Sequence, residues 1–251
     1  MPSKYPMNIK TNSILDDPST CRLAAFYASC TSVYFVILVS ALFLTNYVYS
    51  IGKLTFYPVI GLIAVLECTK YVIGIFHVSK KDVFSGRYED KYFTGQRKKP
   101  VTKTSVKEVF NCIVIVTVML TVYFAIAILF GAELFNKHEE TFMFSSLLTV
   151  LTIFPSCLHL ESQAAVNLLF GVHPAGDAVG QLLLRNLQFT LLGAWLGAFV
   201  IPLDWDRPWQ EWPIPCCVGA LLGYITGNIV MVCSLFPNIA KKLPKSNRKL
   251  R

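Results

Sequence analysis

Four places in this 251-residue sequence bring together residue types that do chemistry. Glu67 and Lys70 lie three apart inside an apolar run, so a helix puts both on one face. In a bilayer such a pair marks a transport path, a partner contact, or an ion pair buried in a helix bundle. His159 with Glu161, and His173 with Asp177, offer an imidazole beside a carboxylate, which suits proton transfer or a metal. Neither pair has a third or fourth ligand at a recognisable spacing, so interfacial polar residues are the plainer reading. Asp204-x-Asp206 places two carboxylates two apart, a pattern that can share a divalent cation. Arg207 stands next to them and competes as a partner for Asp204, Asp206 or Glu211.

The elements that must position these residues are set by composition. The chain is 54% hydrophobic and only 15% charged, where a soluble domain carries about 25% charged residues. A water-soluble enzyme and a disordered chain are both disfavoured by these numbers. A membrane-crossing helix needs roughly 20 apolar residues. Six segments qualify, at 23–48, 54–79, 109–132, 141–160, 186–203 and 214–236. The expected fold is therefore all-α, a single integral membrane domain over 1–251 with six transmembrane helices. The fifth and shortest span could begin earlier, near Gly180, with Arg185 reaching to the interface. The polar first 22 residues lack the pattern of a cleaved leader, so the first span reads as an uncleaved anchor.

The net charge of +8 is distributed unevenly. Of 23 Lys and Arg, 19 fall on the side holding both termini, the 80–108 loop and Arg185, against three (Lys53, Lys137, Arg207) opposite. Positive residues stay cytosolic, which predicts cytosolic termini and lumenal or external loops at 49–53, 133–140 and 204–213. The basic 80–108 loop reads as a solvated loop near anionic lipid, and its composition does not suggest a nucleic-acid module. The apolar stretch 164–172 is too short to span and either lies at the interface or re-enters. Seven of the eight cysteines lie inside predicted spans and none forms C-x-x-C, which argues against a disulfide framework or a zinc site.

The last two spans carry the clearest pattern. Gly193 and Gly197, Ala194 and Ala198, then Gly219, Gly223 and Gly227 recur every four residues. Small residues at this spacing let helix backbones approach in lipid, so a tight antiparallel hairpin is expected. Its ten-residue connection holds Trp205, Pro208, Trp209 and Trp212, and indoles favour the membrane interface.

The run GAWLGAFVIPLDWDRPWQEWP from Gly193 to Pro213, continuing to Gly219 and Gly223, resembles the signature of the PIG-F family, phosphatidylinositol-glycan biosynthesis class F. The likeness covers about 35 residues, and a small six-span layout fits the family over the whole chain. It implies an endoplasmic-reticulum membrane protein of glycosylphosphatidylinositol (GPI) anchor synthesis. Such proteins stabilise the large catalytic subunits PIG-O and PIG-G, which transfer ethanolamine phosphate to mannoses of the GPI precursor. The resemblance carries over no catalytic residue, metal ligand or cofactor. Gly193, Gly197, Asp204–Arg207, Pro208, Trp209, Trp212, Gly219, Gly223 and Gly227 then become candidate partner-binding or helix-packing residues, and Glu67 with Lys70 an intramembrane charge pair. The tail Arg248-Lys249-Leu250-Arg251 resembles a dibasic retrieval signal, or is simply a basic tail. The alternatives are a small metal-dependent lipid transferase using Asp204 and Asp206, and a transporter built around Glu67 and Lys70.

Overall fold

The computed structural model describes residues 18–85, 106–133, 136–171, 178–203 and 205–241. His173, Asp177, Asp204, both chain ends and most of the basic 80–108 loop lie outside the described residues, so the expectations placed on them are not addressed by it. Every long element among the described residues is a helix and none is a strand. In chain order these are α1 (Pro18–Leu44), α2 (Tyr57–Ser85), α3 (Val106–Leu129), α4 (His138–His159), α5 (Ser162–Leu169), α6 (Ala178–Ala198) and α7 (Ile214–Lys241). Short 3₁₀ turns at Tyr47–Ser50, Leu54–Phe56 and Pro208–Gln210 connect them.

Five stretches are long and apolar enough to cross a membrane: Thr20–Leu44, Leu54–Phe76, Val106–Leu129, His138–His159 and Ile214–Phe236. The expected segment at 186–203 differs. Its helix is α6, which starts eight residues earlier and ends at Ala198. At about 1.5 Å per residue its 21 residues reach about 31 Å, enough to cross. Its first half, however, carries Gln181, Arg185, Asn186 and Gln188, which makes it less apolar than the other five. Residues 199–203 leave the helix in tight turns, with Val200 N–H donating to Gly197 O and Leu203 N–H to Val200 O, each at 3.3 Å. The first span also stops early. Asn46, with φ of 55°, turns the chain after Leu44 rather than at 48. The 164–172 stretch falls largely within α5, a short amphipathic helix with Ala165 and Leu168 buried.

The core lies where α1, α4, α6 and α7 meet. Phe35, Met143, Leu147, Leu151, Leu221 and Tyr224 are almost wholly buried there. A smaller cluster joins Ala24, Tyr27 and Ala28 of α1 to Ala178 and Leu182 of α6 and Met231 and Leu235 of α7. Helix α4 is rich in Ser and Thr yet central. Thr141, Ser145, Thr149, Thr152 and Ser156 each donate to the carbonyl four residues back at 2.6–2.9 Å. The hydroxyls are thus satisfied within the helix, which a water-free interior requires. By contrast, α3 turns Phe110, Ile113, Val118 and Leu129 outward. Apolar exposure on this scale is unusual for a soluble monomer and ordinary for a lipid-facing helix.

Candidate functional site

Helices α6 and α7 touch backbone to backbone. A Cβ placed on Gly193 would overlap the carbonyl oxygen of Gly219, and one on Gly219 would overlap that of Gly193. The same holds for Gly197 against Pro215 O and for Gly223 against Phe189 O. Gly227 is less tight, its Cβ position lying 3.0 Å from Asn186 Oδ1. Glycine every fourth residue puts one bare stripe on each helix, and the short connection folds the stripes together.

The connection is pinned from inside by a residue the sequence reading passed over. Gln210 is 8% exposed. Its Nε2 donates to Val200 O at 2.9 Å and Leu203 O at 2.6 Å, and its Oε1 accepts from the Arg207 backbone N–H at 3.1 Å. These carbonyls lie in the turns that follow α6, where each also accepts a backbone N–H, from Leu203 and Trp205 respectively. Trp212 anchors the other side: Nε1 donates to Thr141 Oγ1 at 3.1 Å and its ring meets Phe144 edge-on at 5.4 Å. Lys137 pairs with Glu211 across 3.4 Å at the surface. Trp205 and Trp209 stand exposed, their rings 5.9 Å apart. Asp206, Arg207 and Pro208 are exposed beside them.

Glu67 and Lys70 face the helix interior. Glu67 is fully buried and Lys70 is 8% exposed, and their charged atoms are 2.6 Å apart. Tyr34 of α1 and Tyr224 of α7 both donate to Glu67 Oε1, the latter at 3.1 Å. Lys70 donates to Thr31 Oγ1 at 2.8 Å and lies 5.8 Å from the centre of the Tyr27 ring. The pair therefore links α2 to α1 and α7. Nearby, Asn186 Nδ2 donates to Asn228 Oδ1 at 3.3 Å, bringing α6 to the same polar seam. Tyr34, Thr31 and Tyr224 carry no distinctive spacing to Glu67 and Lys70, because they meet the pair from other helices, α1 and α7.

His159 and Glu161 come apart. His159 is held between the rings of Tyr27 at 4.6 Å and Tyr71 at 5.3 Å, while Glu161 is exposed. It is Glu108 of α3 whose carboxylate accepts the Ser162 N–H at 3.3 Å, at the start of α5. Among the described residues no three His, Cys, Asp or Glu side chains gather as a metal site would require. What the arrangement does is hold helices close together and leave Trp205 and Trp209 exposed beside them.

The chain matches the model of the GPI biosynthesis protein family Pig-F over residues 18–232. A Mus musculus protein named GPI ethanolamine phosphate transferase, stabilizing subunit, is 38% identical over 127 residues, covering 49% of this chain and 56% of that protein. A Homo sapiens protein of the same name is 36% identical over 130 residues, 50% and 58% of the two chains. The glycosylphosphatidylinositol anchor biosynthesis protein 11 of Yarrowia lipolytica is 36% identical over 110 residues, 43% and 47%. The chain spans about half the length of the curated relatives it matches. No solved structure matches it.

Proposed function

The chain belongs to the Pig-F family of GPI biosynthesis proteins, and on that premise we propose that it is a non-catalytic stabilising subunit of GPI ethanolamine phosphate transferases. The observation that carries the reading is the extent of the family match, which takes in helices α1 to α6 and most of α7. Relatives named as stabilising subunits support the role. Its partners are large catalytic subunits of the PIG-O and PIG-G type, in the endoplasmic-reticulum membrane. The chain crosses six times with both termini cytosolic, α6 completing the count through its contact with α7. The α6–α7 hairpin and the Trp205–Trp209 shelf form the recognition surface or its scaffold. A rigid, glycine-packed hairpin suits a packing partner, because small residues place backbone and loop reproducibly against another helix.

The test is deletion of the gene, followed by measurement of catalytic-subunit abundance and of accumulating GPI intermediates. The expected outcome is a fall in subunit abundance with a build-up of precursors lacking ethanolamine phosphate. Normal levels of both would sink the reading. Topology is read separately, by glycosylation sequons inserted at 205–212, expected to be modified, and in the chain ends, expected to stay unmodified.

A further inference from the structure

Cys112 of α3 and Cys157 of α4 meet although 45 residues separate them in the chain. Cys112 Sγ donates to Cys157 O at 3.7 Å, and the two thiols lie within hydrogen-bonding reach of each other. Both are free and half-buried. Cys112 stands six residues into α3, about 9 Å from its start, and Cys157 two residues before the end of α4, about 3 Å. The pair therefore lies in the outer part of the apolar layer these helices cross. Val109, Phe110 and Ile113, beside Cys112 in α3, are turned outward, so acyl chains reach this level of the helix.

Two thiols facing each other from two helices can hold a soft metal or become a disulfide. Zinc takes four ligands, and among the described residues no third His, Cys, Asp or Glu joins the pair. Disulfide formation needs only these two sulfurs and an oxidant. Attack by a thiol is slow in apolar surroundings. A peroxide carried on an acyl chain offsets this, because it is held in the same layer as the thiols.

We propose that Cys112 and Cys157 are a modification site that lipid hydroperoxides oxidise to a disulfide. One sulfur attacks the terminal oxygen of the hydroperoxide. The O–O bond breaks, the thiol proton passes to the departing oxygen, and the lipid leaves as its alcohol with the sulfur as sulfenic acid. The second sulfur attacks the first. The S–S bond forms, the S–O bond breaks, and the second thiol proton leaves with the hydroxyl as water. Two thiols together lose two electrons, and one hydroperoxide becomes one alcohol and one water. Tyr123 Oη and Thr152 Oγ1, 3.0 Å apart, already join the same two helices deeper in the layer. The disulfide fixes the outer end of α3 as well, one turn from Glu108 and its bond to the start of α5. The proposal needs only that the chain lies in a bilayer, and stands apart from its role as a stabilising subunit.

The test uses the full chain in nanodiscs of phosphatidylcholine, with or without a phosphatidylcholine whose acyl chain carries a hydroperoxide. Remaining thiols are blocked with N-ethylmaleimide, and peptides are mapped by mass spectrometry. A peptide linked through Cys112 and Cys157 is expected only with the hydroperoxide, together with the lipid alcohol, and dithiothreitol should reverse the link. The linked chain should melt higher than the reduced chain. Cys112→Ser and Cys157→Ser should each abolish the link and leave the remaining sulfur as a sulfenic acid that dimedone traps. Cys233→Ser, at an exposed thiol of α7, should leave the link unchanged. Copper phenanthroline reads the geometry alone, and should form the same link. No link with either reagent would overturn the proposal on geometry. A link with copper phenanthroline or aqueous hydrogen peroxide but not with the lipid hydroperoxide would overturn it on chemistry.

Discussion

Gly193 and Gly219 occupy each other's side-chain space: the carbonyl oxygen of each lies where a Cβ on the other would stand. The contact matters because α6 carries Arg185 and Asn186 in its first half and is poorly suited to lipid on composition alone. Its polar face is covered by α7, where Asn228 and Ser234 receive those two side chains. Close backbone approach and interhelical hydrogen bonds are the two forces that join helices in a bilayer, and this hairpin uses both.

Gly219→Ala should therefore force α6 and α7 apart at an unyielding backbone contact. Overpacking of this kind costs about 1–3 kcal/mol. The measurement is the apparent melting temperature of the full chain in mild detergent, together with recovery of the catalytic subunit in a pull-down. Gly61→Ala is the control, since nothing lies within 4 Å of its Cβ position. In a helix interior that change should be neutral or stabilising by up to about 1 kcal/mol. Equal behaviour of the two variants would contradict the packing role.

Lys70→Met should leave Glu67 buried against two tyrosine hydroxyls with no cation. Breaking one side of a buried pair costs about 3–5 kcal/mol. Glu67→Gln alone strands the ammonium against Thr31 and the Tyr27 ring in the same way. The double variant Glu67→Gln, Lys70→Met removes both charges and keeps an amide oxygen for Tyr34 and Tyr224. Its stability should return most of the way, and a thermal-shift double-mutant cycle reads the coupling. A transport site would instead lose function in the double variant while each single variant stayed folded.

The helices were legible because apolar runs of about 20 residues are a strong signal, and the five that pass on composition sit within a few residues of where they are expected. The 186–203 segment misled because a window of hydropathy ignores cover. Arg185 and Asn186 weigh against a helix start, yet α7 supplies their partners, Ser234 and Asn228. The Glu67–Lys70 pairing was legible for the opposite reason, since two residues three apart on one helix need no tertiary knowledge. Tyr34 and Tyr224 were not, because nothing local in α1 or α7 says which helix faces Glu67. Gln210 lies within the run that carries the family resemblance, but no spacing marks it out there. Its three hydrogen bonds depend on how the chain turns between Val200 and Arg207.

Gln210→Leu should loosen that turn without touching either helix contact. The carbonyls of Val200 and Leu203 each lose one of two donors and keep the backbone N–H groups of Leu203 and Trp205, so each lost hydrogen bond costs about 0.5–1.5 kcal/mol. The expected result is faster hydrogen exchange over residues 199–212 with little change in the middle of α7. Trp205→Ala, at an exposed ring, should leave exchange in the turn unchanged. Should both variants exchange alike, Gln210 would not be what closes the loop.

Trp212 ties this loop to α4 through two separable contacts, an indole N–H on Thr141 Oγ1 and an edge-on ring against Phe144. Trp212→Phe keeps an aromatic ring for the second contact and removes the first, for a loss of about 0.5–1.5 kcal/mol. Thr141→Val removes the acceptor and also the hydroxyl that donates to Lys137 O at 2.9 Å. Because the two substitutions delete one shared bond, their combined effect on melting temperature should fall short of the sum by about that bond's worth. Strict additivity would show that the bond does not hold the loop on α4. The Lys137–Glu211 pair runs beside it between the same two segments but is exposed, and exposed pairs contribute about 0–1 kcal/mol. Lys137→Ala should therefore shift the melting temperature less than Trp212→Phe, and the shift should vanish at high salt.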